Sequence, residues 1–77
     1  MSDITKKLDC SGLLCPMPVV KTAKAMKELA VGDTLEMIST DAGAMPDMQA
    51  WANQTKHELL ESEDLGGKYR FLIKKTH

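Results

Sequence analysis

Residues 8–21 read LDCSGLLCPMPVVK and lead from a strand through a short loop into a helix. Cys15 stands directly before Pro16-Met17-Pro18, and proline suits a first helical position because its fixed φ fits there. A helix start favours an anion through its free N–H groups and its dipole. Such a site lowers a thiol pKa from about 8.5 to roughly 3.5–7.5. The stretch predicts a nucleophilic Cys15; the alternative is a buried, inert thiol.

Size and charge narrow the possible classes of protein. The chain has 77 residues and a formal net charge of −1, so we expect one domain spanning 1–77 and no dedicated nucleic-acid binder. No stretch approaches the roughly 18 apolar residues of a membrane helix. The charged segment 1–7 has no apolar core of a signal peptide, which indicates a cytoplasmic protein. In the cytoplasm, cysteines are usually reduced rather than bridged.

The hydrophobic period switches along the chain and predicts four strands and two helices. Strands are expected at 4–9, 34–40, 57–62 and 68–74, and helices at 16–30 and 45–55. Because Met17 precedes a proline, the regular helix is expected to begin at Pro16 or only at Pro18. The inner helix faces are expected to contain Val19, Ala23, Met26, Leu29 and Ala30, and Met45, Met48, Trp51, Ala52 and Thr55.

The element order β-α-β-α-β-β predicts an α+β two-layer sandwich. Right-handed crossovers place both helices on one face of a four-stranded mixed sheet. The short Leu65-Gly66-Gly67 loop requires an antiparallel final hairpin. The last strand is the most apolar, so we expect it between the second and third strands.

The assembled pattern resembles the TusA/SirA-like sulfur-carrier family over essentially the whole chain. The resemblance rests first on Leu8-Asp9-x-x-Gly12-Leu13-x-Cys15-Pro16-Met17-Pro18-Val19-Val20-Lys21. Further matching segments are Gly32-Asp33, Thr40-Asp41, His57-Glu58-Leu59-Leu60, Gly66-Gly67 and Tyr69-Arg70-Phe71-Leu72-Ile73.

The resemblance implies a single reactive cysteine that carries sulfane sulfur as a persulfide. Cys15 is then the carrier, Pro16 and Pro18 shape the helix start, and Gly12 and Met17 support the loop. Implied donors are a cysteine desulfurase or a rhodanese, and an implied acceptor is a DsrE-like protein. The sulfur would serve tRNA thiolation, molybdenum-cofactor supply or sulfur oxidation. No cofactor or metal is implied, and the protein would act in a relay rather than as a stand-alone enzyme.

Cys10 lies outside the core of the family motif. We expect it to be a half-buried residue at the end of a strand. The alternative is a resolving thiol that attacks the Cys15 persulfide, releases sulfide and leaves a Cys10–Cys15 disulfide. Geometry decides between them, since Cα atoms more than about 7 Å apart cannot be bridged without movement.

Several other side chains near the motif have a structural and a functional interpretation. Lysines at helical spacing are usually just a solvated helix face. Because they flank the reactive helix start, we hypothesise that this set helps to recognise acidic partners: Lys21, Lys24 and Lys27. Met17 is expected to offer a partner an apolar contact. His57 opens the third strand, where it is expected to pack or face solvent rather than act as a base.

Three other functions compete with sulfur transfer. A zinc site has the right ligand types in two Cys and two His, but their spacing lacks the close pairs of zinc modules. A dithiol redox protein using Cys10 and Cys15 lacks the usual Cys-x-x-Cys spacing. A regulatory interaction module would keep its function without Cys15.

Overall fold

The computed structural model of the protein describes residues 4–14 and 16–77; residues 1–3 and Cys15 lie outside the described part. The described residues form six elements in the order β-α-β-α-β-β. They are β1 (Lys6–Cys10), α1 (Met17–Met26), β2 (Thr34–Ser39), α2 (Ala44–Thr55), β3 (Glu58–Asp64) and β4 (Tyr69–Lys74). The predicted order of elements is confirmed.

The strands form one mixed sheet in the order β1-β2-β4-β3. β1 runs parallel to β2, whereas β4 is antiparallel to both β2 and β3. The apolar strand β4 therefore lies inside the sheet, as its composition predicts. The charged strands β1 and β3 form the two edges of the sheet. Charged side chains on an edge strand disfavour its pairing with strands of other molecules.

A single core cluster joins both helices to one face of the sheet. It contains Cys10, Ala25, Met26, Leu35, Met37, Ala44, Met48, Phe71 and Ile73. Leu35 and Met37 alternate with half-buried residues along β2, which is the period of a strand with one face on the core. The predicted two-layer α+β sandwich is confirmed, and none of the helices in the described ranges is long and apolar enough to cross a membrane.

α1 is shorter than its sequence pattern predicts. The expected helix over 16–30 starts at Met17 and ends at Met26, so Met17 takes helical geometry although it precedes Pro18. Residues 27–30 instead turn the chain towards β2. Lys75, which directly follows β4, caps the end of the helix because its Nζ donates to the carbonyl oxygens of Met26 at 2.9 Å and Leu29 at 2.6 Å.

The buried face of α1 is rotated from the predicted one. The buried residues are Pro18, Thr22, Ala25 and Met26, whereas Val19, Ala23 and Leu29 are half-buried and Ala30 is exposed. Thr22 is buried because its hydroxyl donates to the carbonyl oxygen of Pro18 at 2.8 Å. A hydroxyl paired in this way loses little on burial, so the inner face includes a polar residue that the hydrophobic pattern leaves out.

The predicted inner face of α2 is closer to the observed one. Met48 and Ala52 are buried, and Met45, Trp51 and Thr55 are half-buried. Ala44, one residue before the predicted helix over 45–55, is the first residue of α2 and is also buried.

Candidate functional site

The loop between β1 and α1 begins with a tight turn. The N–H of Leu13 donates to the carbonyl oxygen of Cys10 at 3.2 Å, and Gly12 has a φ of 81°. That positive φ explains why glycine is found at this position. The N–H of Ser11 donates to a carboxylate oxygen of Asp9 at 2.9 Å. Hydrogen bonds from the Ser11 hydroxyl and N–H lower the pKa of the Asp9 carboxyl.

The start of α1 offers few free N–H groups. Pro16 and Pro18 have none, the N–H of Met17 donates to the Leu14 carbonyl oxygen at 2.9 Å, and that of Val20 donates to the Pro16 carbonyl oxygen at 3.0 Å. Residues 16–20 therefore leave at most the N–H of Val19 for a bound anion. The free N–H groups are few because proline lacks an N–H at the very positions where it favours a helix start.

The remaining electrostatic support for an anion comes from the helix itself. The dipole of α1 places partial positive charge at its amino end, and its first turn, described in full, contains no acidic residue. Cys15, the predicted carrier, lies outside the described residues, between Leu14 and Pro16, which are both exposed.

Large apolar side chains close to this position in the chain are exposed. Leu14 is 73% exposed, Met17 is 41% exposed and Val20 is 50% exposed. Isolated exposed apolar residues are common, but three within seven residues around a loop indicate a contact surface. We call Leu14, Met17 and Val20 the apolar rim.

A groove separates the amino end of α1 from α2. It has a volume of about 270 Å³ and runs between the amino end of α1 and the outer part of α2. Its lining residues are Pro16, Val19, Asp47, Ala50, Trp51 and Gln54.

The three lysines proposed to bind partners do not form one patch. Lys21 and Lys24 line a groove of about 180 Å³ between α1 and the edge strand β1, together with Lys6. Lys27 lies in a different groove, beside Trp51 and His57. The described structure therefore places a basic pair, Lys21 and Lys24, in one groove and Lys27, the residue that follows α1, in another.

Cys10 is more buried than predicted. It is the last residue of β1, has 0% exposure and belongs to the core cluster. Burial raises the pKa of its thiol, although the positive charge of Lys21 opposes this shift. A buried thiol with a raised pKa forms little thiolate, and thiolate is the nucleophile in thiol exchange.

His57 packs between the rings of Trp51 and His77. Its ring lies 5.7 Å from that of Trp51 and 4.5 Å from that of His77, centroid to centroid. Its Nδ1 accepts the N–H of Thr76 at 3.2 Å. The two histidine rings are nearly parallel, at 12°, so their lone pairs do not converge on one ion, and no group of three or more metal-binding side chains occurs among residues 4–14 and 16–77.

One contact of the site was missed by sequence analysis. The N–H of Gly12 donates to Oγ1 of Thr40 at 2.8 Å, which joins the β1–α1 loop to the segment after β2. The sequence pattern places Thr40 at the end of the second predicted strand and shows no contact with the Gly12 loop. A signal was present, because residues that follow neighbouring parallel strands meet at the same sheet edge.

Comparison with known proteins identifies the family. A family model described as sulfurtransferase TusA matches residues 6–75. The chain is 45% identical to the sulfur carrier protein TusA of Allochromatium vinosum over 99% of its own length and 100% of that protein. It is 50% identical to a Bacillus subtilis protein provisionally named sulfur carrier protein YrkI, over 91% of this chain and 93% of that one.

The fold is shared with a solved structure. A SirA-like protein from Desulfitobacterium hafniense superposes with a TM-score of 0.81 and 23% identity, covering 95% of this chain and 100% of that one. The chain belongs to the TusA family of sulfur carrier proteins.

Proposed function

We propose that the protein accepts a sulfane sulfur on Cys15 as a persulfide and passes it to a partner protein. The observation that carries this proposal is the position of Cys15 in the chain. It lies between two exposed residues, Leu14 and Pro16, directly before the positive end of α1.

Loading is a thiol–disulfide type of exchange at sulfur. The Cys15 thiolate attacks the terminal sulfur of a donor persulfide, a bond forms between the two sulfurs, and the donor leaves as its own thiolate. With thiosulfate as donor, the leaving group is sulfite. No external oxidant or reductant is consumed in either case, because the sulfane sulfur moves with its oxidation state unchanged.

Unloading repeats the same step in the opposite direction. An acceptor thiolate attacks the terminal sulfur of the Cys15 persulfide, and Cys15 leaves as a thiolate. A low thiol pKa makes Cys15 the better leaving group, which the amino end of α1 favours. The terminal sulfur needs no deep pocket, since a partner's active site supplies the rest of the surroundings.

The apolar rim is the surface on which we expect partners to dock. Leu14, Met17 and Val20 are exposed close to the carrier position in the chain, and Lys21 directly follows Val20, with Lys24 one turn further along α1. Apolar centres with charged borders are typical of transient protein contacts. The expected partners are a cysteine desulfurase or rhodanese as donor and a DsrE-like protein as acceptor. Such a relay needs reduced thiols, as in the cytoplasm.

The dithiol alternative has less support. Cys10 is completely buried and the pKa of its thiol is raised by burial, so its attack on a persulfide would require the core to open. Burial favours the interpretation of Cys10 as a packing residue.

The test is the intact mass of the protein after incubation with a cysteine desulfurase and cysteine, or with thiosulfate or polysulfide. We expect a gain of one sulfur atom that maps to Cys15 and is removed by a thiol reductant. Cys15→Ala should gain nothing, whereas the matched variant Cys10→Ala should load normally. A lasting loss of two hydrogens would support the dithiol protein instead. Cellular function that survives Cys15→Ala would support a regulatory module.

A further inference from the structure

Thr40 bridges two loops at the carboxyl ends of the parallel strands. Its Oγ1 accepts the N–H of Gly12 at 2.8 Å, across 28 positions of sequence. β1 and β2 lie side by side with Cys10 opposite Ser39, so the segments that follow them leave the sheet together. The contact therefore depends on the register of these two strands.

The hydrogen bond to Thr40 is donated by the central peptide group of the turn at 10–13, which leads to Cys15. The turn is closed by the Leu13 N–H on the Cys10 carbonyl oxygen, with Ser11 and Gly12 at its centre. The positive φ of Gly12 is that of a type II turn. A type I turn has the same central peptide rotated to the opposite orientation. Accepting the Gly12 N–H thus holds the peptide in the type II orientation.

Thr40 is itself held on both sides. Ser39 before it is completely buried, and its Oγ accepts the N–H of Asp41 at 3.1 Å. The carboxylate of Asp41 accepts the N–H of Gly43 at 3.1 Å. These contacts fix the backbone around Thr40, so that its hydroxyl reaches the Gly12 turn from a rigid support.

The turn is continuous with the start of α1. After Leu13 comes Leu14, whose carbonyl oxygen accepts the N–H of Met17 at 2.9 Å. Cys15 lies between these two residues in the chain. The direction in which the chain enters Cys15 therefore depends on the conformation of the turn at 10–13.

We propose that Thr40 is a positioning residue for the carrier cysteine. Its hydroxyl keeps the 10–13 turn in the type II form, which sets how Cys15 is presented to the amino end of α1 and to partners. This inference rests on the proposed function for its consequence in sulfur transfer, but the positioning itself is measurable on the thiol alone.

The structure offers a matched set of variants. Thr40→Val removes the acceptor and keeps the shape of the side chain, whereas Thr40→Ser keeps the acceptor. Thr5→Val is the control, because Thr5 Oγ1 accepts the N–H of Thr34 at 3.1 Å at the opposite end of the same strand pair. Both substituted residues, Thr5 and Thr40, are exposed, so large effects on folding are not expected.

Two rates are measured, with the modified cysteine identified by peptide mapping. The first is the alkylation of Cys15 by iodoacetamide as a function of pH, and the second is handover of sulfur from loaded protein to an acceptor thiol. We expect Thr40→Val to change both by about threefold to tenfold, the effect of one net hydrogen bond. Thr40→Ser and Thr5→Val should stay within about twofold of the wild type by the same measure.

The outcomes separate the two proposals. If wild-type protein takes up no sulfur but Thr40→Val still alters the alkylation profile of Cys15, the proposed function fails and positioning stands. If wild-type protein loads, and Thr40→Val matches Thr40→Ser in both rates, positioning fails and the function stands. A third readout needs no variant: the Gly12 amide should exchange with solvent more slowly than an exposed, unbonded amide, and fast exchange would overturn the inference.

Discussion

Cys10 lies opposite Ser39 in the parallel register of β1 and β2, and both side chains are completely buried. The thiol thus belongs to the sheet edge that supports the carrier loop rather than to the exposed surface of that loop. Two cysteines separated by only a few residues therefore differ in chemistry: one is enclosed by the core, and the other is predicted to react.

The first prediction concerns this difference in reactivity. In the folded protein, iodoacetamide should alkylate Cys10 about a hundredfold more slowly than Cys15, because access to Cys10 requires local opening of the core. Burial also raises the pKa of the Cys10 thiol, so less thiolate is present at neutral pH. Peptide mapping of the alkylated protein gives both rates. In urea the two cysteines should react alike; equal rates without urea would contradict the packing role.

The second prediction concerns the basic pair, Lys21 and Lys24. Lys21→Glu and Lys24→Glu should slow sulfur transfer from a donor with an acidic surface by about threefold to tenfold at low salt. The effect should shrink as salt rises, because exposed charges are screened. Lys27→Glu is the matched control, since Lys27 lies in a different groove at the far end of α1. An equal effect at Lys27, or none at Lys21, would remove the pair from partner recognition.

The third prediction concerns the end of α1. Lys75→Met should lower the free energy of unfolding by about 1–3 kcal/mol, because it removes charged hydrogen bonds to the carbonyl oxygens of Met26 and Leu29. Urea unfolding followed by circular dichroism measures the change. Lys74→Met is the control, because Lys74 is exposed at the end of β4. Equal losses in the two variants would mean that Lys75 does not cap the helix.

The fourth prediction concerns pH and His57. Burial lowers the pKa of His57 below 6.5, and the positive charges of His77 and Lys75 lower it further. The unfolded chain therefore binds a proton on His57 more tightly than the folded protein does. The contribution of His57 to the free energy of unfolding is fully present above about pH 6.5 and is lost as the pH drops towards the folded-state pKa. His57→Gln should remove this part of the slope.

Urea unfolding at several pH values between about 7.5 and 5.5 checks the slope, and the imidazole proton signals of His57 give its pKa directly. Two carboxyl groups do not interfere in this pH range. Hydrogen bonds from Ser11 and Lys6 lower the pKa values of Asp9 and Glu28, so their contributions to the free energy of unfolding are lost only as the pH falls below 3.8 and 4.5. A wild-type slope equal to that of His57→Gln would show that His57 titrates normally.

The fold could be predicted well from local pattern. The order of elements, the mixed sheet and the internal position of β4 follow from hydrophobic period, from glycine and proline positions and from loop length. The phase and length of α1 could not be predicted, because a polar residue, Thr22, occupies its buried face and Lys75, from the segment after β4, caps its end. Hydrophobicity alone assigns neither effect.

The sequence by itself determined that a cysteine precedes a helix with proline at its start, and that its surroundings match one family. Only the tertiary structure decided how few N–H groups that helix start retains, that Cys10 is enclosed, and that Thr40 meets Gly12. The reason is distance along the chain. Bonds that join residues 28 or 49 positions apart depend on strand register and on packing of both layers, which local sequence patterns do not specify.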